Sequence, residues 1–222
     1  MEHFALFDTN MTIVSDAKDV SRYFAESIMN IYGLVVEVDL KAHMGLSAKE
    51  LAMETLKENG LNEQEIQDRL SRLLEDLPYS YYNVAWSDKI IVSDGAKQLL
   101  DDLKGRGVGL GIATGEPMRI SRMRLDRVKM AGYFTFGSYA EDGMTPKEII
   151  DTALNRASSE FGLQAEEGFF FSAFPRFVRA AREAGVYSVG VASMSSAADL
   201  SSAGANETMH SLKEKPRLFK EL

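Results

Sequence analysis

Six short apolar runs alternate with segments of helical period, and this alternation limits the fold more than any other feature. The runs are Phe4–Phe7, Val108–Ala113, Phe134–Phe136, Phe169–Phe171, Ser188–Ala192 and Glu207–His210. Short continuous apolar runs suit strands covered on both faces. The segments between them carry helix start and stop signals. Asp94–Leu103 sets Ala96, Leu99, Leu100 and Leu103 on one face and ends near Gly105 and Gly107. Thr145-Pro146-Lys147-Glu148 spells a capping box with proline at the first helical position, ahead of Ile149, Ile150, Ala153, Leu154 and Ala157. Pro175 opens another helix, with Val178, Ala181 and Ala184 inward and Gly185 closing it. Strand and helix in short alternation predict an α/β fold, a Rossmann-like doubly wound parallel sheet.

Residues 16–86 break the rhythm. Val20, Phe24, Ile28 and Ile31 share one helical face; Ser47 and Glu50 cap a second helix that ends at Gly60. Asn62 and Glu65 cap a third, whose Ile66, Leu70, Leu73 and Leu77 run up to Pro78. Gly33–Val38 is the one stretch here that reads as extended. The chain therefore divides into a core of residues 1–15 and 87–222 and an inserted helical cap domain of residues 16–86.

Composition narrows the function classes. The 222 residues hold 33 acidic against 25 basic side chains, a formal net charge of −8, which weighs against nucleic-acid and anionic-membrane partners. With no cysteine there is no disulfide, thiolate zinc site or cysteine nucleophile. No apolar run approaches the roughly 18 residues that span a bilayer. The opening MEHFALFD has no basic stretch ahead of its apolar run, so the expectation is a cytoplasmic protein. Gly109, Gly111 and Gly115 imitate a dinucleotide spacing, but the first two fall inside a strand. His3, His43 and His210 make no metal-ligand spacing.

Open α/β sheets bind ligands at the carboxyl ends of their strands. There the sequence offers Asp8 after the first run, Thr114 after the second and Lys147 in the first turn of the Thr145 helix. A carboxylate nucleophile, a hydroxyl with the N–H groups before Pro117, and a lysine at a helix N-terminus form a phosphate-handling set.

On these residues the chain resembles the haloacid dehalogenase superfamily, in its phosphoglycolate-phosphatase-like branch with a helical cap after the first strand. Phe4–Thr12 resembles the first motif, Thr114 supplies the hydroxyl of the second and Gly143–Leu154 is similar to the third, with Lys147 at the lysine position. Val178–Val186 resembles the helix after the fourth motif, and Gly45–Glu50 the cap's substrate-facing loop. The resemblance implies Asp8, Asn10, Thr114 and Lys147 as the catalytic positions. It also implies Thr12, Gly115, Arg176 and Gly45 as substrate contacts and a small phosphorylated metabolite as partner.

The departures from the pattern bear on catalysis. Asn10 stands where the family has its general acid and base, and an amide cannot move that proton. Ala173 and Phe177 stand where two further aspartates surround magnesium, so Asp8 is the one acid left to a metal. Arg176 is either a guanidinium where the metal would sit or a solvated first-turn arginine; Phe174 and Phe177 either fill the pocket or belong to the core. Two functions follow. One is a phosphatase-like hydrolase working through an aspartyl-phosphate, with weakened or absent magnesium dependence. The other is a catalytically inactive relative that binds a phosphorylated ligand or a protein partner.

Overall fold

The computed structural model describes residues 2–16, 21–39, 42–214 and 216–217. Its main sheet has six parallel strands: β1 (Phe4–Phe7), β4 (Gly109–Ala113), β5 (Phe136–Ser138), β6 (Gly168–Ser172), β7 (Tyr187–Val191) and β8 (Glu207–Met209). They lie in the order β5-β4-β1-β6-β7-β8. All four residues of β1 are fully buried, as a central strand covered on both faces requires. Its ring of Phe7 stacks on Phe171 of β6, centroids 4.6 Å apart. The strand order reverses beside β1, which places the ligand crevice at the carboxyl ends of β1, β4 and β6. The doubly wound parallel sheet is the one the alternation requires.

Helices α4 (Ala96–Gly105), α5 (Met118–Arg127), α6 (Pro146–Phe161), α7 (Pro175–Glu183) and α8 (Ala197–Ser202) flank this sheet. Thr145 caps α6 through its side chain and Glu148 reaches back to it, completing the capping box. Three further helices stand between β2 (Val14–Asp16) and β3 (Ile90–Val92): α1 (Ser21–Tyr32), α2 (Ala48–Glu58) and α3 (Glu63–Ala85). Capping boxes at Ser47/Glu50 and Asn62/Glu65 open the second and third of them. The helical insert has its own apolar cluster, centred on Phe24, Ile28, Leu56, Ile66, Leu73 and Leu77, which reaches the core through Ile120 and Ala140. Val20, assigned from sequence to the first helical face, lies outside the described residues. Among the described residues no helix is long and apolar enough to cross a membrane.

Three local expectations are corrected, and one strand pairing is new. The strand placed at Phe134–Phe136 starts at Phe136, because Ala131–Tyr133 first makes a 3-10 turn whose Ala131 carbonyl holds Phe134 N–H at 3.2 Å. Among the described residues Gly33–Val38 takes no strand partner and is irregular. Helix α3 does not stop at Pro78 but runs on to Ala85. Proline removes one helical N–H there, and burial of Leu77, Pro78 and Tyr81 keeps the helix continuous, with the Tyr81 hydroxyl 3.2 Å from Asp16 Oδ1. Finally, β2 and β3 pair antiparallel, Val14 opposite Val92 and Asp16 opposite Ile90, at the junction of insert and core.

Candidate active site

Asp8 follows β1 directly, and its backbone N–H still pairs with the Phe171 carbonyl at 2.9 Å, so the sheet fixes where its carboxyl points. Thr114, just past β4, donates to Asp8 Oδ1 at 2.7 Å; Ser172, the last residue of β6, donates to Oδ2 at 3.1 Å. Three adjacent strand ends thus converge on one carboxyl group that is only 2% exposed. Burial pushes that carboxyl up to about 7, against the Thr114 hydrogen bond, and the nearby Glu116 carboxylate adds to the rise. Asp8 therefore keeps its proton to a higher pH than an ordinary carboxyl group does.

A second buried layer lies behind it. Arg124 of α5 is fully buried and pairs with Glu116; its Nε lies 3.3 Å from Asp16 Oδ2 and its Nη2 donates to Asn10 Oδ1 at 3.3 Å. Glu116 also accepts from Thr9 Oγ1 at 2.6 Å. Burial holds the Asp16 carboxyl above its ordinary range, with Arg124 pulling the other way. Asp16, Glu116 and Arg124 were not singled out from sequence. They come from β2, the loop after β4 and the second turn of α5, and no motif spacing joins those places.

A cavity of about 250 Å³ opens between the insert and these strand ends. Asp8, Asn10, Thr114, Gly115 and Gly45 line it, so five of the eight assigned site residues meet there. Gly45 sits at φ +75°, and a Cβ on it would come within 3.2 Å of the Phe174 side chain. A Cβ on Gly115 would come within 2.8 Å of the Ser47 Cα, and the Gly115 carbonyl accepts from Ala48 N–H at 2.8 Å. Both glycines are therefore positions where insert and core approach closely.

The other three are elsewhere. Thr12 is buried outside the cavity and accepts from Ala173 N–H at 3.0 Å, tying two loops together. Lys147 is turned to solvent and pairs with Asp151 one turn along α6, which raises its ammonium pKa. The residue of that loop facing the insert is Met144, whose carbonyl accepts from Ser47 Oγ. Arg176 is neither in the cavity nor simply solvated. It pairs with Glu50 of α2, bridging core and insert. Phe174 and Phe177 combine the two roles considered for them, since both belong to a core cluster and both line the cavity.

The magnesium implied by the resemblance does not fit this donor set. Magnesium requires several hard oxygens in near-octahedral order. Here Asp8 already accepts two hydrogen bonds, Asn10 engages Arg124, Ala173 offers a methyl group and Phe177 a ring stacked on Phe170. Among the described residues, no three of His, Cys, Asp and Glu are grouped so as to hold a metal ion.

Solved structures share the whole architecture. One described as a predicted phosphatase from Clostridium acetobutylicum superposes with TM-score 0.73 at 22% identity, covering 100% of both chains. A β-phosphoglucomutase from Clostridium difficile gives 0.72 at 16% identity, covering 100% of this chain and 96% of that one. A predicted phosphoglycolate phosphatase from Haemophilus somnus gives 0.69 at 14% identity, covering 95% and 94%. No curated protein matches the sequence. The family model described as haloacid dehalogenase-like hydrolase matches residues 5–191, from the strand that carries Asp8 through β7. With that match spanning most of the chain, the protein belongs to the haloacid dehalogenase-like hydrolase family.

Proposed function

We propose that this chain uses the hydrolase fold to bind a small metabolite between the insert and the core, with residues 16–86 acting as the cap, and that it does not turn over phosphate esters through magnesium. The observation that carries the reading is the outward turn of both assigned cations, Lys147 onto Asp151 and Arg176 onto Glu50. A phosphate dianion beside Asp8 would meet a buried carboxyl group and Glu116 behind it, with no lysine or arginine on the cavity wall among the described residues. Like charges that close in a low-dielectric site repel by several kcal/mol. A cytoplasmic setting belongs to the same proposal.

The test is release of phosphate from p-nitrophenyl phosphate, with and without magnesium, by the wild-type chain and Asp8→Asn. The expected result is no turnover that depends on Asp8. Release that disappears in Asp8→Asn overturns the proposal.

A second reading is an aspartyl-phosphate hydrolase of a small organic phosphate with weakened magnesium dependence. It is favoured by the two hydroxyls that orient Asp8 at the strand ends. Asp8 is then the nucleophile, and a hydroxyl at Thr114 steadies the transferred group. Under that reading the combined variant Asn10→Asp, Ala173→Asp, Phe177→Asp gains magnesium-dependent turnover.

A further inference from the structure

The cavity's polar groups have a consistent sign. Asp8, Asp16 and Glu116 line it, and among the described residues no lysine or arginine does. Arg124, behind the wall, balances one of the three carboxyl groups when all are ionised, leaving an excess of negative charge. Asp16 shows this independently of the count. Its side chain is 1% exposed and lines the cavity, yet among the described residues Oδ2 accepts no hydrogen bond and has only its ion pair with Arg124 Nε at 3.3 Å. A buried carboxylate oxygen without a hydrogen-bond donor is costly unless a donor arrives. The rest of the wall is apolar and polarisable: Phe24, Phe174 and Phe177, with Met11, Met44 and Met194. Aromatic faces and thioethers favour an organic cation over an anion.

We infer that the pocket selects a small organic cation, a protonated amine on a compact apolar or aromatic body, with its N–H groups on the Asp8 and Asp16 carboxylates and its body against Phe174 and Phe177. This rests on the proposed reading of the site as a binding pocket, and it adds the charge and class of the ligand. An amine cation adds a hydrogen-bond donor to Asp16 Oδ2, which has an ion pair with Arg124 but no hydrogen bond from the described residues. It also draws Asp8 into its ionised form, so binding and loss of the Asp8 proton are linked. The titratable and charged groups around Asp8 are Glu116 on the loop after β4, Asp16 of β2, Arg124 of α5, Tyr23 of α1 and His43 ahead of α2.

The full chain is titrated calorimetrically with benzylammonium, benzyl alcohol and benzyl phosphate at pH 6 and pH 8, with melting curves in parallel. Benzylammonium, protonated throughout, is expected to bind about tenfold more tightly at pH 8, because the ionised share of a carboxyl titrating near 7 rises about tenfold over that range. Asp8→Asn should remove the pH dependence, and His43→Gln, which deletes the imidazole from the wall, should keep it. The wild-type profile alone decides the matter if Asp8→Asn does not fold. Equal binding of benzyl alcohol, or no binding by any of the three, overturns the cation assignment and leaves the absence of phosphatase activity standing. Preferred binding or hydrolysis of benzyl phosphate overturns both. A pH profile lost in His43→Gln assigns the titration to the imidazole and overturns the role of Asp8.

Discussion

Replacing Asp8 by asparagine should stabilise the protein at alkaline pH, although the change strikes the residue that the aspartyl-phosphate reading would make the nucleophile. Asp8 is 2% exposed, and burial lifts its carboxyl from the ordinary 3.8 to about 7. The folded-state value lies above the unfolded one, so between these limits the folded chain holds a proton that the unfolded chain has lost. The stability this contributes is complete below about pH 4 and is lost as pH rises through about 7. At about 1.36 kcal/mol per unit, the interval amounts to about 4 kcal/mol in full, of which about 3 kcal/mol falls between pH 4.5 and pH 8. Asparagine keeps the shape, leaves Thr114 and Ser172 a polar partner and does not titrate. The gap between Asp8→Asn and wild type should therefore move in favour of the variant by about 3 kcal/mol from pH 4.5 to pH 8. For a chain of this size that is a relative melting shift of about 6–12 °C. Urea unfolding at the two pH values measures it. A gap that stays constant to within about 1 kcal/mol, or that moves against the variant, would refute the buried neutral carboxyl. The second outcome would mean that Asp8 is ionised and held by a cation.

Two other substitutions test the surroundings of the site. Arg124→Met deletes the buried partner of Asp16 and Glu116 and should cost about 3–5 kcal/mol at pH 7.5, measured by urea unfolding, because it strands two carboxylates. The loss should shrink at pH 5, since Asp16 is already held above its ordinary range; an equal loss at both pH values would point to packing instead of charge. Gly115→Ala sets a methyl group 2.8 Å from the Ser47 Cα and should cost about 1–3 kcal/mol by overpacking, while a neutral effect on the melting temperature would show that the segment around Ser47 moves aside freely.

The sheet was legible because burial on both faces leaves unbroken apolar runs in β1 and at Phe169–Phe171 of β6, and because Ser47, Asn62 and Thr145 carry complete capping boxes. Short pairings were harder to read. Strands β2 and β3 have three residues each, fewer than a two-residue alternation needs to show itself, although Ile90-Ile91-Val92 is strongly β-branched. Helix α5 was hidden by its arginines: Arg119, Arg122, Arg124 and Arg127 blur the apolar period, and Arg124 faces inward because two carboxylates await it. At the site, the strand ends pointed to Asp8 and Thr114, since their position follows from the sheet alone. The role of Lys147 depended on which way a long side chain leaves the first helical turn. Asp151, four residues on, competes for it at a spacing where helical ion pairs form.

The departures from the family pattern are coordinated with one another. Asn10, in place of a carboxylate, accepts from Arg124, which already serves Asp16 and Glu116; a fourth carboxylate there would add charge that the single guanidinium could not balance. The Ala173 N–H is held by Thr12, fixing the loop beneath a methyl group. Phe177 stacks on Phe170 and closes the wall below Gly115, whose missing side chain lets Ser47 approach. An aspartate at position 177 would have to ionise where that ring is 2% exposed, at a desolvation cost that a metal ion would have to offset. A phosphoryl-transfer site needs cations that face the transferred group. Here the cations bridge to Asp151 and Glu50, and the ring and methyl groups are packed. That arrangement favours recognition of a ligand whose charge complements Asp8 and Asp16 over transfer of a phosphoryl group to Asp8.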